Sequence, residues 1–408
     1  MVKVITWCVF LLASLSIFAR DFLDKKKLPD WSVLDSFQGE ISRNNFNYLL
    51  KNVYCPRSSW WKDWIVIQES EVLIRTENGK DNWYRISFKE GNETFDFSNS
   101  VSIYPISPSI KGLKIALDPG HIGGEFSEME GRHFSINGQK PVKEGELSLE
   151  VAKILEKKLQ GVGVDVILLR NENKPVSNYR PSDFIADAEK WVFEKEKVLK
   201  NSYPALDRAE MIKKRSEVLF YRVSEIYARA EILNHKIKPD LTICIHLNAA
   251  PWKDPDNHLL VERNDYHVLV NGCYMGGELA DPFQRYEMVF RLLQGWHATE
   301  LKVADNVSRS FGSVTNMPAF SYKGPNALKV GDVDGVWARN LLANRIYQCP
   351  VVFLEPYVAN SKETYERIQL GNYDGEKNIG GEMKHSLVEE YAESVFQGLL
   401  SSFAAQKM

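Results

Sequence analysis

The chain has 408 residues, of which 44% are hydrophobic and 26% charged, and this composition is typical of a folded globular protein rather than a disordered one. Its 54 acidic residues nearly balance its 51 lysines and arginines, giving a formal net charge of −3. This balance argues against nucleic acid as a partner, because nucleic-acid-binding domains usually carry a concentrated excess of positive charge.

The first twenty residues have the build of a Sec-type signal peptide. Lys3 precedes an apolar run over residues 4–19, and charged residues follow the run. We therefore predict a leader over residues 1–20 and a periplasmic or secreted protein. The run is short for a membrane span of about 20 residues. The cleavage points after Ser16 and Ala19 are only fair, however, so an uncleaved leader acting as an N-terminal membrane anchor stays open as an alternative.

Residues 21–109 are predicted to form a small α+β module. A helix is expected over residues 45–53, and alternating apolar and polar residues predict strands over 64–67, 71–75, 83–88 and 101–104. Four tryptophans of this module could form a carbohydrate-binding face, although in so small a unit they more often belong to the core: Trp60, Trp61, Trp64 and Trp83. The segment 105–109, with two prolines, is the predicted linker.

From residue 110 onward the pattern indicates an α/β fold. A short apolar strand over residues 113–118 is followed by apolar residues at helical spacing, such as Leu147, Val151 and Leu155, and then by a strand over 164–169. This strand, helix and strand order predicts a parallel sheet with helices on its faces. We therefore predict one three-layer α/β domain over residues 110–408.

This domain is predicted to carry a helical insertion at about residues 181–238, which are charged and amphipathic and should form two or three helices. Further strands are expected over residues 241–245 and 351–354, and helical patterns run over about 287–311. The insertion therefore lies between the second and third predicted strands of the domain.

Four candidate site residues lie near the same predicted edge of the sheet. His121, His246 and Glu355 each come just after a predicted strand, and Glu144 stands immediately before the helix that follows the His121 loop. Because ligands bind at the carboxyl edge of parallel strands, these side chains are expected to meet there. Two imidazoles and one carboxylate with an open fourth position are the ligand set of a catalytic zinc ion. A second carboxylate could then deprotonate the zinc-bound water.

Taken singly, each of these residues is weak evidence. A histidine after a strand is more often a hydrogen-bonded structural residue, and a glutamate at a helix start is often present only because the helix dipole favours it. Glu355 has the strongest case, because a carboxylate at the end of an apolar strand is costly to bury without a role or a partner. The convergence of all four residues favours a catalytic site.

The motifs that contain these residues occur in a specific order from residue 113 to the C-terminus. They are Ile-Ala-Leu-Asp-Pro-Gly-His over 115–121 with Gly123 and Gly124, Glu144 before a helix start, Pro-Asp-Leu-Thr-Ile-Cys-Ile-His-Leu-Asn-Ala over 239–249, and Pro-Val-Val-Phe-Leu-Glu over 350–355 followed by Asn360. In this order the chain resembles the zinc-dependent N-acetylmuramoyl-L-alanine amidases.

The resemblance implies that His121, Glu144 and His246 bind Zn²⁺ and that Glu355 is the catalytic base. It also implies the three-layer fold that these amidases share with zinc exopeptidases. The substrate would be bacterial peptidoglycan, cleaved at the amide that joins the lactyl group of N-acetylmuramic acid to L-alanine. Arg229 and Asn234 match a pair that the family usually carries on the helix before the second histidine strand, and we interpret this pair as structural.

The sequence also departs from the family pattern. Ile122 separates His121 from the glycine pair, and Glu146 is a rival of Glu144 as ligand, less favoured because it lies further inside the helix start. The helical insertion is larger than a minimal family domain needs. In related division amidases an extra helix can cover the zinc until a partner pulls it away. The insertion is therefore either added scaffold or a lid, and a lid would imply an activator protein as partner.

The other potential metal ligands are expected to be structural. Four cysteines lie outside the leader and are too scattered for a metal knuckle: Cys55, Cys244, Cys273 and Cys349. Cys244 and Cys349 lie at or beside predicted strands, and both are expected to be buried thiols. Five spare histidines do not directly follow a predicted central strand: His133, His235, His258, His267 and His297.

Two other functions remain compatible with the sequence. An amidase-like zinc hydrolase could cleave another peptide bond of the cell wall, which the enlarged loops favour. A non-catalytic peptidoglycan-binding or regulatory protein could retain the fold. The intact set of four candidate residues argues against this second alternative, since a degenerate relative would be expected to have lost at least one.

Overall fold

The computed structural model describes residues 28–91, 109–202, 207–252, 254 and 258–404. The predicted leader, the predicted strand over residues 101–104 and most of the predicted linker lie outside these ranges. Within the part of the chain that is described, every helix is too short or too polar to serve as a membrane span.

The N-terminal part forms a small antiparallel sheet, as its alternating pattern predicts. Strands β1 (Ile65–Ile67), β2 (Glu71–Arg75) and β3 (Trp83–Ser87) pair in that order. The expected helix is α1 (Arg43–Leu49), which begins where the Ser42 hydroxyl accepts the N–H of Asn45 at 3.2 Å and which continues as a π-helical segment, Leu50–Tyr54. A 3₁₀ helix, Trp31–Phe37, precedes it, and helix α2 (Ser58–Trp61) follows it.

A mixed sheet organises the rest of the chain. In chain order the strands are β4 (Lys114–Pro119), β5 (His133–Phe134), β6 (Val142–Lys143), β7 (Asp165–Leu168), β8 (Leu241–Ile245), β9 (Tyr266–Val270), β10 (Leu328–Lys329), β11 (Val336–Ala338), β12 (Val351–Pro356), β13 (Lys377–Ile379) and β14 (Glu382–Lys384). Among the described residues, seven strands form this sheet in the order β10-β11-β9-β12-β8-β4-β7. Strands β7, β4, β8 and β12 run parallel, and β9 runs antiparallel to β12.

Helices lie between these strands. They are α3 (Glu144–Gly161), α4 (Ile185–Ser202), α5 (Arg208–Val218), α6 (Glu225–Glu231), α7 (Gly276–Leu279), α8 (Pro282–Gln294), α9 (His297–Thr315), α10 (Leu342–Ile346), α11 (Lys362–Gln369) and α12 (Leu387–Ser402). The predicted insertion forms two long helical segments. The first joins a 3₁₀ turn, Pro181–Phe184, to α4, and the second runs from α5 through α6 with π-helical stretches at Leu219–Ser224 and Ile232–Ile237.

Helices cover both faces of the sheet, which confirms the predicted three-layer α/β fold. On one face, α3, α9 and α12 bury side chains such as Leu155, Val307 and Val395 against the strands. On the other face, α6 and α10 contribute Ala230 and Ile346 to a second core. Each fully buried side chain of this size contributes about 1.5–3 kcal/mol, so the two apolar faces of the sheet fix its position between the helices.

Strands β9, β10 and β11 are additions to the predicted sheet. Strand β9 pairs with β12 on one side and with β11 on the other, so it lies inside the sheet. The helical patterns over residues 287–311 form two helices, because Gly295 has a φ of +68° and ends α8.

Helix α8 completes the hydrophobic core of the N-terminal part. Its buried residues Met288 and Leu292 belong to the same cluster as Leu50 and Ile74. Three of the four tryptophans are half-buried and pack against this cluster: Trp60, Trp61 and Trp64. Because the core is shared, the boundary between a module over residues 21–109 and a domain over 110–408 stays a prediction.

Helices α9 and α12 approach each other so closely that a glycine is required between them. A Cβ atom on Gly398 would lie 2.5 Å from the Cα of Val307. We expect Gly398→Ala to push the helices apart and to lower the free energy of unfolding by about 1–3 kcal/mol, measured by urea denaturation with circular dichroism.

The matched control is Gly161→Ala at the end of α3, where a Cβ atom would meet nothing within 4 Å. This variant should be neutral or slightly more stable, because alanine restricts the unfolded chain. If the two variants were equally stable, the close packing of α9 against α12 would not be a stabilising constraint.

Candidate metal centre

Two imidazoles and one carboxylate meet at the carboxyl edge of the central sheet. Glu144 Oε1 lies 3.1 Å from His121 Nε2 and 3.1 Å from His246 Nδ1. The two imidazole rings are 5.0 Å apart between centroids, with their planes at 81°. The three ligand atoms lie within 4.8 Å of one another, close enough to hold one metal ion. Among the described residues, no other group of three or more histidine, cysteine or acidic side chains has this arrangement.

The loop after β4 aims His121 at this cluster. His121 has a φ of +59°, a left-handed conformation that costs free energy for a residue other than glycine. The Arg229 guanidinium holds the conformation by donating to the carbonyls of His121 and Pro119, both at 2.7 Å. Arg170 also donates to this loop, at 3.1 Å to the Pro119 carbonyl and 3.0 Å to the Gly120 carbonyl. Two arginines therefore fix the backbone that carries the first histidine.

A glycine lets the same loop approach the second histidine. The Gly120 N–H donates to the Ile245 carbonyl at 2.8 Å, and a Cβ atom on Gly120 would lie 2.3 Å from the His246 ring. Any larger residue would displace the imidazole. The Phe353 ring stacks on His246 at 4.3 Å, and the Tyr391 hydroxyl donates to the His246 carbonyl at 2.9 Å. His246 is thus fixed through both its ring and its backbone.

Glu144 and its rival Glu146 have different environments. Glu144 is the first residue of α3, is buried, and accepts the N–H of Leu247 at 3.2 Å in addition to facing both imidazoles. A carboxylate is favourable at this position because the N-terminus of a helix carries partial positive charge. Glu146 instead pairs with Lys143 at 3.1 Å and is not part of the cluster. The geometry therefore favours Glu144 as the ligand.

The protonation of the cluster reflects its mutual contacts. Burial disfavours the charged form of Glu144, but His121 and His246 lower the pKa of Glu144 well below its usual value. Burial also opposes protonation of His121, yet Glu144 and Glu130 together raise the pKa of His121 to about 9. For His246, burial and the neighbouring His121 outweigh Glu144, and the pKa is lowered. The cluster thus favours one positive charge among the two imidazoles, which a bound metal cation would replace.

Glu130 supports the cluster from the side of His121, a role that the sequence analysis did not predict. Its buried carboxylate accepts the N–H groups of Ile122 at 2.9 Å and Gly123 at 3.1 Å, and it lies 3.5 Å from His121 Nδ1. Histidine ligands commonly direct their second nitrogen to a carboxylate, which fixes the ring and its tautomer. Glu130 therefore directs His121 Nε2 toward Glu144. The exposed Arg132 side chain lies beside both groups, with its Nε 3.3 Å from His121 Nε2 and 3.2 Å from a Glu144 oxygen.

Glu355 lies near the end of β12 and lines the same cleft as the cluster. Burial and the Glu144 carboxylate raise the pKa of Glu355 to about 8, against the opposing effects of Arg132 and His121. A carboxylate whose pKa is raised toward neutrality is suited to accept and return a proton at neutral pH. Glu355 and Glu144 therefore differ in pKa, which is raised for Glu355 and lowered for Glu144. They also differ in position, because Glu144 faces the imidazoles directly.

The helical insertion forms a wall of this cleft, which has a volume of 760 Å³. The insertion contributes Arg215, Tyr221 and Arg222 to the lining. Ile122, the extra residue of the His121 loop, is fully buried in a small cluster with Phe220 of the insertion. Ile122 therefore attaches the loop to the insertion. A lid function of the insertion stays a prediction.

The remaining candidate ligands lie in other environments. The spare histidines have neighbours that fit structural or surface roles: His133 with Ser127, His235 with Glu231, His258 on Trp252, His267 with Tyr322 and His297 beside Tyr54. Cys55, Cys244, Cys273 and Cys349 are all buried free thiols. Asn234 binds the segment before β12, donating to the Ile346 carbonyl at 3.0 Å and accepting the Gln348 N–H at 2.8 Å.

Comparison with known proteins gave matches among solved structures only. No protein-family model matches the chain, and no curated protein matches it. The CwlD amidase from Clostridioides difficile, solved in complex with the GerS lipoprotein, is 12% identical with a TM-score of 0.40, over 72% of this chain and 100% of that chain. The N-acetylmuramyl-L-alanine amidase Ami1 from Mycobacterium smegmatis is 14% identical with a TM-score of 0.38, over 73% and 100% of the two chains.

The catalytic domain of CwlV, an N-acetylmuramoyl-L-alanine amidase from Bacillus (Paenibacillus) polymyxa var. colistinus, is 12% identical with a TM-score of 0.37, over 71% of this chain and 97% of that chain. All three likenesses have TM-scores below 0.5. At such low identities and TM-scores, they do not say what this chain does.

Glu144 and Glu146 provide a matched pair for testing the cluster. We expect Glu144→Ala to weaken zinc binding by at least 100-fold, because the variant removes the carboxylate that faces both imidazoles. Glu146→Ala should leave the affinity within about twofold, since Glu146 contacts Lys143 instead. Zinc affinity would be measured by competition with a chromogenic chelator. Equal losses in the two variants, or a loss only in Glu146→Ala, would contradict this ligand assignment.

Proposed function

We propose that the chain is an exported, zinc-dependent hydrolase that cleaves the amide bond between N-acetylmuramic acid and L-alanine in bacterial peptidoglycan. One observation carries the proposal: His121, Glu144 and His246 converge within 4.8 Å at the sheet edge, and Glu355 lines the same cleft. Two imidazoles and a carboxylate that face a cleft match the ligand set of catalytic zinc sites, in which one position is left for water or substrate.

The cluster also fits a metal ion on physical grounds. Glu144 lies equally far from both imidazoles, and Glu130 contacts the nitrogen of His121 that faces away from the cluster. Both histidines are held by rigid contacts, His121 through its carbonyl and His246 through ring stacking. Zinc is favoured because two histidines and one carboxylate are a common ligand set of catalytic zinc ions.

The side chains of the cleft have distinct roles in the proposed reaction. His121, Glu144 and His246 would hold the zinc ion, which when bound polarises the scissile carbonyl and lowers the pKa of its water to about 7 in comparable sites. Glu355 accepts a proton from the attacking water at its carboxylate and delivers it to the nitrogen of the leaving L-alanine. Glu130 keeps the His121 ring oriented throughout the reaction.

The substrate assignment is supported by the order of sequence motifs from residue 113 onward, which resembles the zinc-dependent muramoyl-L-alanine amidases. The predicted leader supports export to the compartment where peptidoglycan lies. If the lid interpretation of the insertion is correct, an activator protein would be needed for full activity, and the Arg215, Tyr221 and Arg222 wall is the part of the insertion that would move.

Digestion of purified peptidoglycan tests the proposal. We expect the zinc-loaded protein to release peptides that begin with L-alanine, identified by mass spectrometry. A chelator should abolish the release, and added zinc should restore it. Release of fragments cut at another bond would instead favour the alternative of a different wall hydrolase. Absence of any cleavage by a fully zinc-loaded protein, alone or with an extract of its host cell, would contradict the proposed reaction.

Substitution of Glu355 tests the assignment of the base. Glu355→Gln should retain zinc but lower the rate of peptide release by about 100- to 10,000-fold, because the amide cannot accept the proton of water. The matched control is Glu366→Gln on α11, an exposed glutamate, which should retain normal activity. Near-normal turnover by the zinc-loaded Glu355→Gln protein would show that another group acts as the base.

A further inference from the structure

Two buried cysteines meet where the N-terminal part contacts the α/β domain. Cys55 directly follows the π-helical segment that continues α1, and Cys273 lies in the loop after β9. The Cys273 N–H donates to the Val53 carbonyl at 2.8 Å, and the Tyr274 N–H donates to the Tyr54 carbonyl at 2.6 Å. The last carbonyls of a helical segment have no partner within it. The loop after β9 therefore caps the segment that leads into Cys55.

Backbone geometry brings the two cysteines within reach of a covalent bond. The peptide group that precedes Cys55 is hydrogen-bonded to the one that follows Cys273. Chains bonded in this way lie about 5 Å apart, and the two cysteines are offset by one residue of about 3.8 Å, so their Cα atoms are about 6 Å apart. Gly272 permits this approach, because a Cβ atom there would lie 2.5 Å from the Val53 carbonyl oxygen. A disulfide bond spans Cα distances of about 4.4–6.8 Å.

The two thiols also share one environment. Both side chains are buried. Burial, Cys273 and Glu278 raise the pKa of Cys55 to about 12, and burial and Glu278 raise the pKa of Cys273 to about 11. Arg57 opposes the rise in pKa at both thiols. The same carboxylate and the same arginine thus act on both sulfur atoms, which places the two thiols in a common space between the N-terminal part and the domain.

We propose that Cys55 and Cys273 form a disulfide bond in the exported protein. The inference goes beyond the proposed hydrolysis and rests only on its export, because the cytosol keeps thiols reduced. The co-reactant is a disulfide of the outer compartment, such as oxidised glutathione. One cysteine thiolate attacks it and releases the first glutathione thiolate, and the second cysteine thiolate attacks the mixed disulfide and releases the other. Two protein thiols are thereby oxidised, and their protons pass to the two glutathione thiolates.

The bond belongs to the folding of the chain. Thiolate is the reactive form of cysteine, and the raised pKa values make it scarce once both side chains are buried. The reaction therefore precedes the packing of the N-terminal part against the domain. Because Cys55 and Cys273 lie about 220 residues apart in sequence, the bond closes a long loop. Closing a long loop restricts the unfolded chain and so stabilises the folded one.

The other two described cysteines provide an internal control. The Cys349 thiol lies 3.2 Å from the Thr242 hydroxyl, whereas Cys244 is two residues further along β8, about 6.6 Å away. A disulfide bond requires Cβ atoms about 3.5–4.5 Å apart. Cys244 and Cys349 are therefore expected to stay reduced under conditions that join Cys55 to Cys273.

The test refolds the full chain from urea in a buffer of reduced and oxidised glutathione, with Cys8→Ser so that four cysteines remain. The thiols that remain free are alkylated in denaturant, and the unreduced tryptic peptides are identified by mass spectrometry. We expect one pair of peptides joined through Cys55 and Cys273, with Cys244 and Cys349 alkylated.

Thermal unfolding provides a second measurement. The oxidised protein should unfold about 5–10 °C above protein kept in a phosphine reductant. This difference should vanish in Cys55→Ser and in Cys273→Ser. It should persist in the matched control, Cys349→Ala, which removes a buried thiol outside the proposed bond.

The outcomes separate this inference from the proposed function. Four alkylated thiols after refolding, or a link that includes Cys244 or Cys349, would overturn the disulfide. Equal unfolding temperatures with and without reductant would overturn it as well. Neither measurement uses peptidoglycan, so such results would leave the hydrolase function standing, and a failure to cleave peptidoglycan would leave the disulfide standing.

Discussion

A buried ion triad at the start of the His121 loop is the constraint on which the rest of the site depends. Arg229 lies between Asp118 and Glu225, at 2.7 Å and 2.9 Å, and all three side chains are buried. Replacing either acid would leave a buried charge without its partner, which typically costs about 3–5 kcal/mol. The same guanidinium donates to the His121 carbonyl. The conformation of His121 therefore depends on this ion triad, and disruption of the triad would strongly destabilise the fold.

This arrangement gives the helical insertion a role in the site. Arg229 and Glu225 both lie on α6, within the insertion, and Glu225 also accepts the N–H groups of Val176 and Ser177 at 3.1 Å and 2.9 Å. Ile122 adds an apolar contact between the loop and the insertion. The insertion thus holds the His121 loop from one side while forming a wall of the cleft from the other. Movement of this wall as a lid would have to leave α6 in place.

The sequence predicted the features that depend on local pattern. The strand that ends before His246 and the helix after Glu144 follow from apolar periodicity, and the structure begins that helix at Glu144 itself. The parallel topology brings both residues to one edge of the sheet. Strand β9 was not predicted, although its five residues, Tyr266–Val270, are mostly apolar and are followed directly by Asn271 and Gly272, a pair that commonly ends a strand. Because this strand was not predicted, the sequence pattern did not indicate that His267, one of the spare histidines, lies directly across from Glu355.

The supporting residues of the site depended on contacts that no local pattern encodes. Glu130 lies in an irregular loop, and its contact with His121 follows only from how that loop turns. Strand β11 pairs with β9 although the two segments lie about seventy residues apart in sequence. Arg170, which binds two carbonyls of the His121 loop, likewise reaches across from the end of β7. Long-range contacts of this kind decide how a ligand set is oriented, and sequence spacing reveals only which residue types are available.

The most direct test of the central claim is X-ray absorption spectroscopy at the zinc edge on the purified protein loaded with one equivalent of zinc. The account predicts one zinc ion with two imidazole nitrogens at about 2.0–2.1 Å, one carboxylate from Glu144 and one further oxygen from solvent, with the imidazole signal reduced in His121→Ala and His246→Ala. A site with sulfur ligands, or a spectrum that stays unchanged in these two variants, would contradict it.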